Sequence, residues 1–120
     1  MSGAPVAESP IPSDPEDQKL ITLARAAAAR TGARQGASLR DTTGRAYAAA
    51  GVDLEHLKLS AVAVAVAMAV SSAAEGVEAV AVVGEAPSKD DLDVLRDLQG
   101  SDVMVWSADI HGKVLEVSQL

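Results

Sequence analysis

Leu59-Ser60-Ala61-Val62-Ala63-Val64-Ala65-Val66-Ala67-Met68-Ala69-Val70 is the stretch on which the fold turns. Its alternation of Ala and Val is what a half-buried strand shows. Alanine, however, is the best helix former, and an apolar strand of this length would be about twice the usual five to six residues. As a helix the stretch would be apolar on every side, and so buried all round. The pattern favours a helix and leaves a strand open. It falls short of the roughly 18–20 apolar residues that a membrane span needs.

Toward the N-terminus, Gln35–Arg40 and Arg45–Ala50 are short runs joined by Asp41-Thr42-Thr43-Gly44, which reads as a hairpin. Gly51–Leu57 then reads as a loop leading into the central stretch. Further back, Asp14 suits an N-cap, Pro15 the first helical position, and Glu16 and Asp17 an acidic first turn. Leu20, Ile21, Leu23, Ala24, Ala27 and Ala28 recur at helical spacing up to Gly32, a stop signal. Residues 1–13, rich in Pro, Ser, Ala and Gly, are expected to be a disordered tail, with one domain over 14–120.

Toward the C-terminus, Val77–Val83 is a Val-rich run between Gly76 and Gly84, as in a buried central strand. Ser88 suits the cap of a helix whose apolar face is Leu92, Leu95 and Leu98 and which Gly100 ends. Val103–Ser107 and Lys113–Val117 read as strands joined by the turn Asp109–Gly112. With the central stretch helical, the order is α-β-β-α-β-α-β-β, which points to helices packed on a largely buried sheet.

Composition narrows the function classes. The formal net charge is −7, and phosphate contact needs clustered Lys and Arg, so direct nucleic-acid binding is not expected. There are no cysteines, which excludes disulfides, thiolate metal sites and a Cys nucleophile. The start, MSGAPVAESPIPSDPED, has neither a positive n-region nor an apolar h-region, so a soluble cytoplasmic protein is expected. The chain has no Phe, one Trp and one Tyr, and a core of small side chains gains little burial per residue. Extra burial between subunits would suit it.

Three stretches carry a resemblance to the small homo-oligomeric cytidine deaminases, spanning Asp17 to Val117. Gly36-Ala37-Ser38-Leu39 followed by Thr43-Gly44-Arg45 resembles the family's first hairpin, commonly written V-G-A-A-L…D-G-R. Ala69-Val70-Ser71 through Glu78–Val83 resembles the end of the catalytic helix and the next strand. Pro87 with Val94-Leu95 matches the frame of the family's P-C-x-x-C-R-x-V-L helix. The resemblance implies a three-layer α-β-α fold with a mixed five-stranded sheet. It also makes the central stretch a helix, expected over Lys58–Ala74.

In that family three Cys or His side chains from the starts of two helices hold zinc, and a non-ligand Glu moves protons. Carried onto this chain, the first ligand position falls on Ser60 and the glutamate position on Val62. The other two ligand positions fall on Ser88 and Asp91. Neutral serine is a poor zinc ligand, valine moves no proton, and one aspartate does not hold zinc alone. Zinc is therefore the cofactor that the resemblance implies and that these residues do not support. The family's ribose-gripping Asn-x-Glu corresponds to Gly51-Val52-Asp53, where only Asp53 keeps an acceptor, and Ala33 stands near a usual Phe.

Other candidates have plainer readings. His56 and His111 lie far apart with no further His or Cys, and read as loop and turn residues. Ser60 and Ser88 suit helix caps better than nucleophiles, since no His–Asp partnership accompanies them. Asp90, Asp91 and Asp93 complement a helix dipole, and Gly84–Pro87 lacks the glycines of a phosphate loop. The expectation is a non-catalytic cytidine deaminase-like protein acting as a binding or assembly module, as a homodimer or homotetramer. The alternatives are a metal-independent hydrolase or deaminase using Asp53 and Asp91, or a nucleoside sensor.

Overall fold

The computed structural model describes residues 11–98 and 100–120. The expected disordered tail falls mostly outside them. Within them Pro12 is buried, and its carbonyl accepts a hydrogen bond from Gln18 Nε2 at 2.8 Å.

The first helix, α1 (Pro15–Thr31), starts and stops on the residues that the sequence marks. Asp14 Oδ1 accepts from the Glu16 N–H at 2.9 Å, and Gly32 closes the helix in the left-handed conformation (φ 70°). Leu20, Ile21, Ala24, Ala27 and Ala28 face inward, whereas Leu23 is left exposed.

Beneath α1 lie β1 (Gln35–Asp41) and β2 (Ala46–Ala50), an antiparallel hairpin. Gly36 is required there: a Cβ would collide with the backbone carbonyl of Ala24, so α1 settles directly on the strand. Ser38 Oγ ties the same contact by donating to the Leu20 carbonyl at 2.6 Å.

Gly51–Leu57 is not a plain loop. It contains β3 (Val52–Asp53), which pairs with β4 (Lys58–Leu59) around a turn closed by Leu54 N–H to Leu57 O at 2.8 Å. That pairing shortens the central helix from the expected Lys58–Ala74 to α2 (Ala61–Ser71). Lys58 and Leu59 are extended, Ser60 caps, and the chain leaves the helix at Ser72 with Ala73 at positive φ.

The remaining elements are β5 (Val77–Gly84), α3 (Lys89–Arg96), β6 (Met104–Ala108) and β7 (Val114–Gln119). Gly100 does not end α3, which stops at Arg96 with Asp97 as its C-cap. The sheet order is β2-β1-β5-β6-β7, with β5–β6 parallel and the other neighbours antiparallel. This is the mixed five-stranded α/β sheet that the resemblance implied.

Two apolar layers flank the sheet. Ala79, Ala81 and Val83 of β5 join Leu20, Ile21 and Ala24 of α1, together with Trp106. Val80 and Val82, pointing the other way, join Val62, Ala65, Val66 and Ala69 of α2 and Leu95 of α3. Three layers result, with β5 buried on both faces except at its exposed Glu78.

Two hairpins at opposite ends of the sheet share one turn, Asp-x-x-Gly-basic. Asp41 Oδ1 accepts from the N–H groups of Thr43 and Arg45, both at 2.9 Å. Asp109 Oδ1 accepts from those of His111 and Lys113, at 2.9 and 3.0 Å. Gly44 (φ 91°) and Gly112 (φ 88°) supply the conformation that lets each chain return.

Candidate functional site at the helix starts

Both α2 and α3 begin at the same edge of the sheet, where β1 starts and β5 ends. Between them opens a cleft of about 720 Å³. Ser60, Ser88 and Asp91 line it, as do Gly51 and Asp53. Val62 does not: it is 1% exposed and belongs to the core between α2 and the sheet. Ala33, Arg34, Lys58 and Glu85 complete the wall that matters chemically. The cleft thus mixes two cations with three carboxylates and carries no aromatic side chain.

The side chains at the helix starts are engaged in capping. Ser60 Oγ accepts from the Ala63 N–H at 3.0 Å. Ser88 Oγ accepts from the Asp91 N–H at 3.0 Å, while Asp91 Oδ2 accepts from the Ser88 N–H at 3.0 Å. That reciprocal pair is a capping box, with Asp in the place more often taken by Glu or Gln.

Gln35, the first residue of β1, is the centre of the arrangement. It is 7% exposed. Its Oε1 accepts from the Ala61 N–H, the first amide of α2, at 2.9 Å. Its Nε2 donates to the Glu85 carbonyl at 3.1 Å and faces Asp91 Oδ2 at 3.5 Å. Its own backbone carbonyl accepts from the Gly51 N–H at 3.1 Å. One residue therefore touches α2, α3, the segment after β5 and the segment after β2. Sequence reading passes over it as a strand's first residue. The available signal is a carboxamide directly before Gly36, where the family's pattern has Val.

Gly84 ends β5 directly before Glu85 of the cleft wall. Its φ is +88°, and a Cβ there would meet the Arg34 carbonyl, which instead accepts from the Glu85 N–H at 2.9 Å. The close approach brings the Glu85 carbonyl within reach of Gln35 Nε2.

The residues do not fit a zinc ion. A tetrahedral site wants three or four thiolate, imidazole or carboxylate donors converging on one point. At the helix starts Ser60 and Ser88 are neutral hydroxyls and Asp91 is a capping carboxylate, and the cleft's other two carboxylates, Asp53 and Glu85, do not group with it. Among the described residues no group of three or more His, Cys, Asp and Glu could hold a metal ion. His56 and His111 are both exposed, and neither lines the cleft. Among the described residues no helix is long and apolar enough to cross a membrane.

The mixed five-stranded sheet thus carries its cleft at the starts of two helices packed on one face. The family model described as cytidine deaminase-like matches residues 13–112, and the chain belongs to that family. Solved structures agree. A cytidine deaminase of Burkholderia pseudomallei superposes with a TM-score of 0.73 at 24% identity, covering 84% of this chain and 90% of that one. A point mutant of the cytidine deaminase of Mycobacterium tuberculosis gives 0.63 at 25% identity, covering 72% and 81%. The cytidine deaminase of Mycobacterium leprae gives 0.66 at 16% identity, covering 84% and 90%. No curated protein sequence matches this chain.

Proposed function

We propose that this chain is a non-catalytic member of the cytidine deaminase-like family, acting as a homo-oligomeric binding module. One observation carries the reading. The polar side chains at the two helix starts are caps for their own helices, so none is poised as a ligand or proton shuttle. Val62, at the position the resemblance gives to the proton-moving glutamate, is apolar and buried.

Binding is favoured over a bare scaffold because the cleft is open and carries charged side chains on its wall. Val62 packs in the core rather than filling it, and Asp53, Lys58 and Arg34 line its wall. A small polar molecule bearing hydroxyls suits Asp53, and nucleosides are the first class to test. Assembly is supported by α2, which has no charged residue and leaves Met68 (40%) and Val70 (55%) exposed. Leu54, Leu57 and Leu59 of the β3–β4 hairpin are exposed too. An apolar helix wants cover on every side, and a second copy of the chain supplies it. The state expected is a homodimer or homotetramer.

The test is a turnover assay with cytidine, deoxycytidine and blasticidin in added zinc, run beside a thermal-shift screen over nucleosides. No turnover together with saturable stabilisation by a nucleoside is expected. Zinc-dependent turnover would overturn the non-catalytic reading, and metal-independent turnover abolished by Asp53→Ala or Asp91→Ala would favour the hydrolase alternative. Light scattering that gives a monomer would remove the assembly part.

A further inference from the structure

We propose that Gln35 is a clamp: its carboxamide joins the starts of α2 and α3, taking over with a neutral group the bridging that the resemblance assigns to a metal. This goes beyond the loss of catalysis: it rests on the absence of a bridging metal, and holds whether or not the cleft binds a ligand or turns one over without metal.

The chemistry of the two ends fits a carboxamide. The start of a helix presents unpaired N–H groups and a partial positive charge. At α2 the acceptor end of Gln35 meets the Ala61 N–H at 2.9 Å. At α3 the positive end is already neutralised by Asp91, so a donor is wanted, and Nε2 is turned that way. The Nε2–Oδ2 separation of 3.5 Å is at the outer limit of a hydrogen bond, so this arm acts mainly as a charge–dipole attraction. The second Nε2 hydrogen is placed on the Glu85 carbonyl at 3.1 Å.

Both Nε2 hydrogens are thus directed at protein, and one lone pair on Oε1 remains. With Gln35 buried, deleting its amide would strand a buried N–H and a carbonyl. A valine, as in the family's pattern, makes none of these links. The clamp and a bridging metal are alternative solutions to one problem, holding together two helix starts that do not otherwise bond to each other through Ser60 or Ser88.

The test uses the full chain, whose lack of native cysteine lets a pair of spin labels be placed cleanly. Labels go on Lys58→Cys, in the cleft wall ahead of α2, and Lys89→Cys, the first residue of α3, both exposed. Their distance distribution is measured with Gln35 intact, with Gln35→Met and with Gln35→Glu. The Met variant keeps the length and loses both arms, and the Glu variant keeps the acceptor and loses the donor. Both variants are expected to broaden the distribution. Amide exchange is expected to quicken about tenfold at Ala61 in the Met variant, the loss of one hydrogen bond, with Val80 and Val82 unchanged. In the Glu variant Ala61 should stay protected while the labels still spread. Distributions identical to the unsubstituted protein in both variants would overturn the clamp. So would equal acceleration at Ala61, Val80 and Val82, which marks general destabilisation. Should Gln35→Met not fold, Gln35→Glu decides by the same two readouts.

Discussion

Gln35 Nε2 and Asp91 Oδ2 face each other at 3.5 Å across a separation of 56 residues in the chain. The first opens β1 and the second sits in the first turn of α3, so the contact links the start of an interior strand to a helix cap. Asp91 serves both partners with one oxygen, since Oδ2 also accepts from the Ser88 N–H.

Asp91→Ala should therefore cost more than the loss of a cap alone. Ser88→Ala removes one arm of the capping box, worth about 1 kcal/mol. Asp91→Ala removes the other arm and leaves Nε2 with one partner fewer, for a total of about 1–3 kcal/mol. Urea denaturation measures both. The double variant should cost less than the sum, because the two side chains form one box.

Acid should weaken the fold through Asp41. Burial pushes its carboxyl upward, but the hydrogen bonds from Thr43, Arg45 and Tyr47 outweigh this and hold it below the usual carboxylate range. A depressed folded value means that the stabilisation is complete above the unfolded value of about 3.9 and is lost as pH falls through the folded one. Asp109 is shifted the same way, chiefly by the Lys113 N–H. Asp41→Asn should cost about 1–3 kcal/mol at neutral pH and flatten part of the acid limb of a stability–pH curve. Asp109→Asn, at an exposed turn, should do less.

Much of the architecture is legible in the sequence because caps and stops are local. Asp14-Pro15, Gly32, Ser88 and the two Asp-x-x-Gly turns each announce an element through their own backbone chemistry. The β3–β4 pair is not legible, because two-residue strands have no periodicity and depend on Val52 and Leu59 meeting across a turn. The start of α2 is obscured for the same reason: Lys58 and Leu59 look as helical as Ala61 and Val62 until a partner strand claims them. In the sequence the candidate site shows only as a set of missing groups. Gln35 does not stand out there, because its three side-chain partners lie 26 to 56 residues away.

Ala73 offers a stabilising change. It has φ 69°, in the left-handed region where L side chains are strained by about 1–2 kcal/mol. The Ala74 N–H closes the end of α2 on the Ala69 carbonyl at 2.9 Å, as in a Schellman turn, which favours glycine at this place. Glycine gives back about 0.5–1 kcal/mol through its freer unfolded chain. Ala73→Gly should raise stability by roughly 0.5–1 kcal/mol, read as a higher urea midpoint with an unchanged slope.

Arg40 should be the costliest charged residue to truncate. Its guanidinium lies 2.9 Å from Asp17 and 2.9 Å from Glu78, and its side chain is 13% exposed. Asp17 also accepts from Trp106 Nε1 at 3.2 Å. Arg40→Ala would leave the Asp17 carboxylate largely buried beside the indole, a cost of about 3 kcal/mol or more. Trp106 is the one tryptophan, so its fluorescence should report the change directly.

The helix starts hold themselves together through caps and Gln35 and have no place for a metal. The most direct measurement is the zinc content of the purified chain after equilibration with zinc and dialysis, by elemental mass spectrometry. Zinc far below one equivalent per chain is expected. One equivalent retained through dialysis, and lost on substituting Ser60, Ser88 or Asp91, would contradict it.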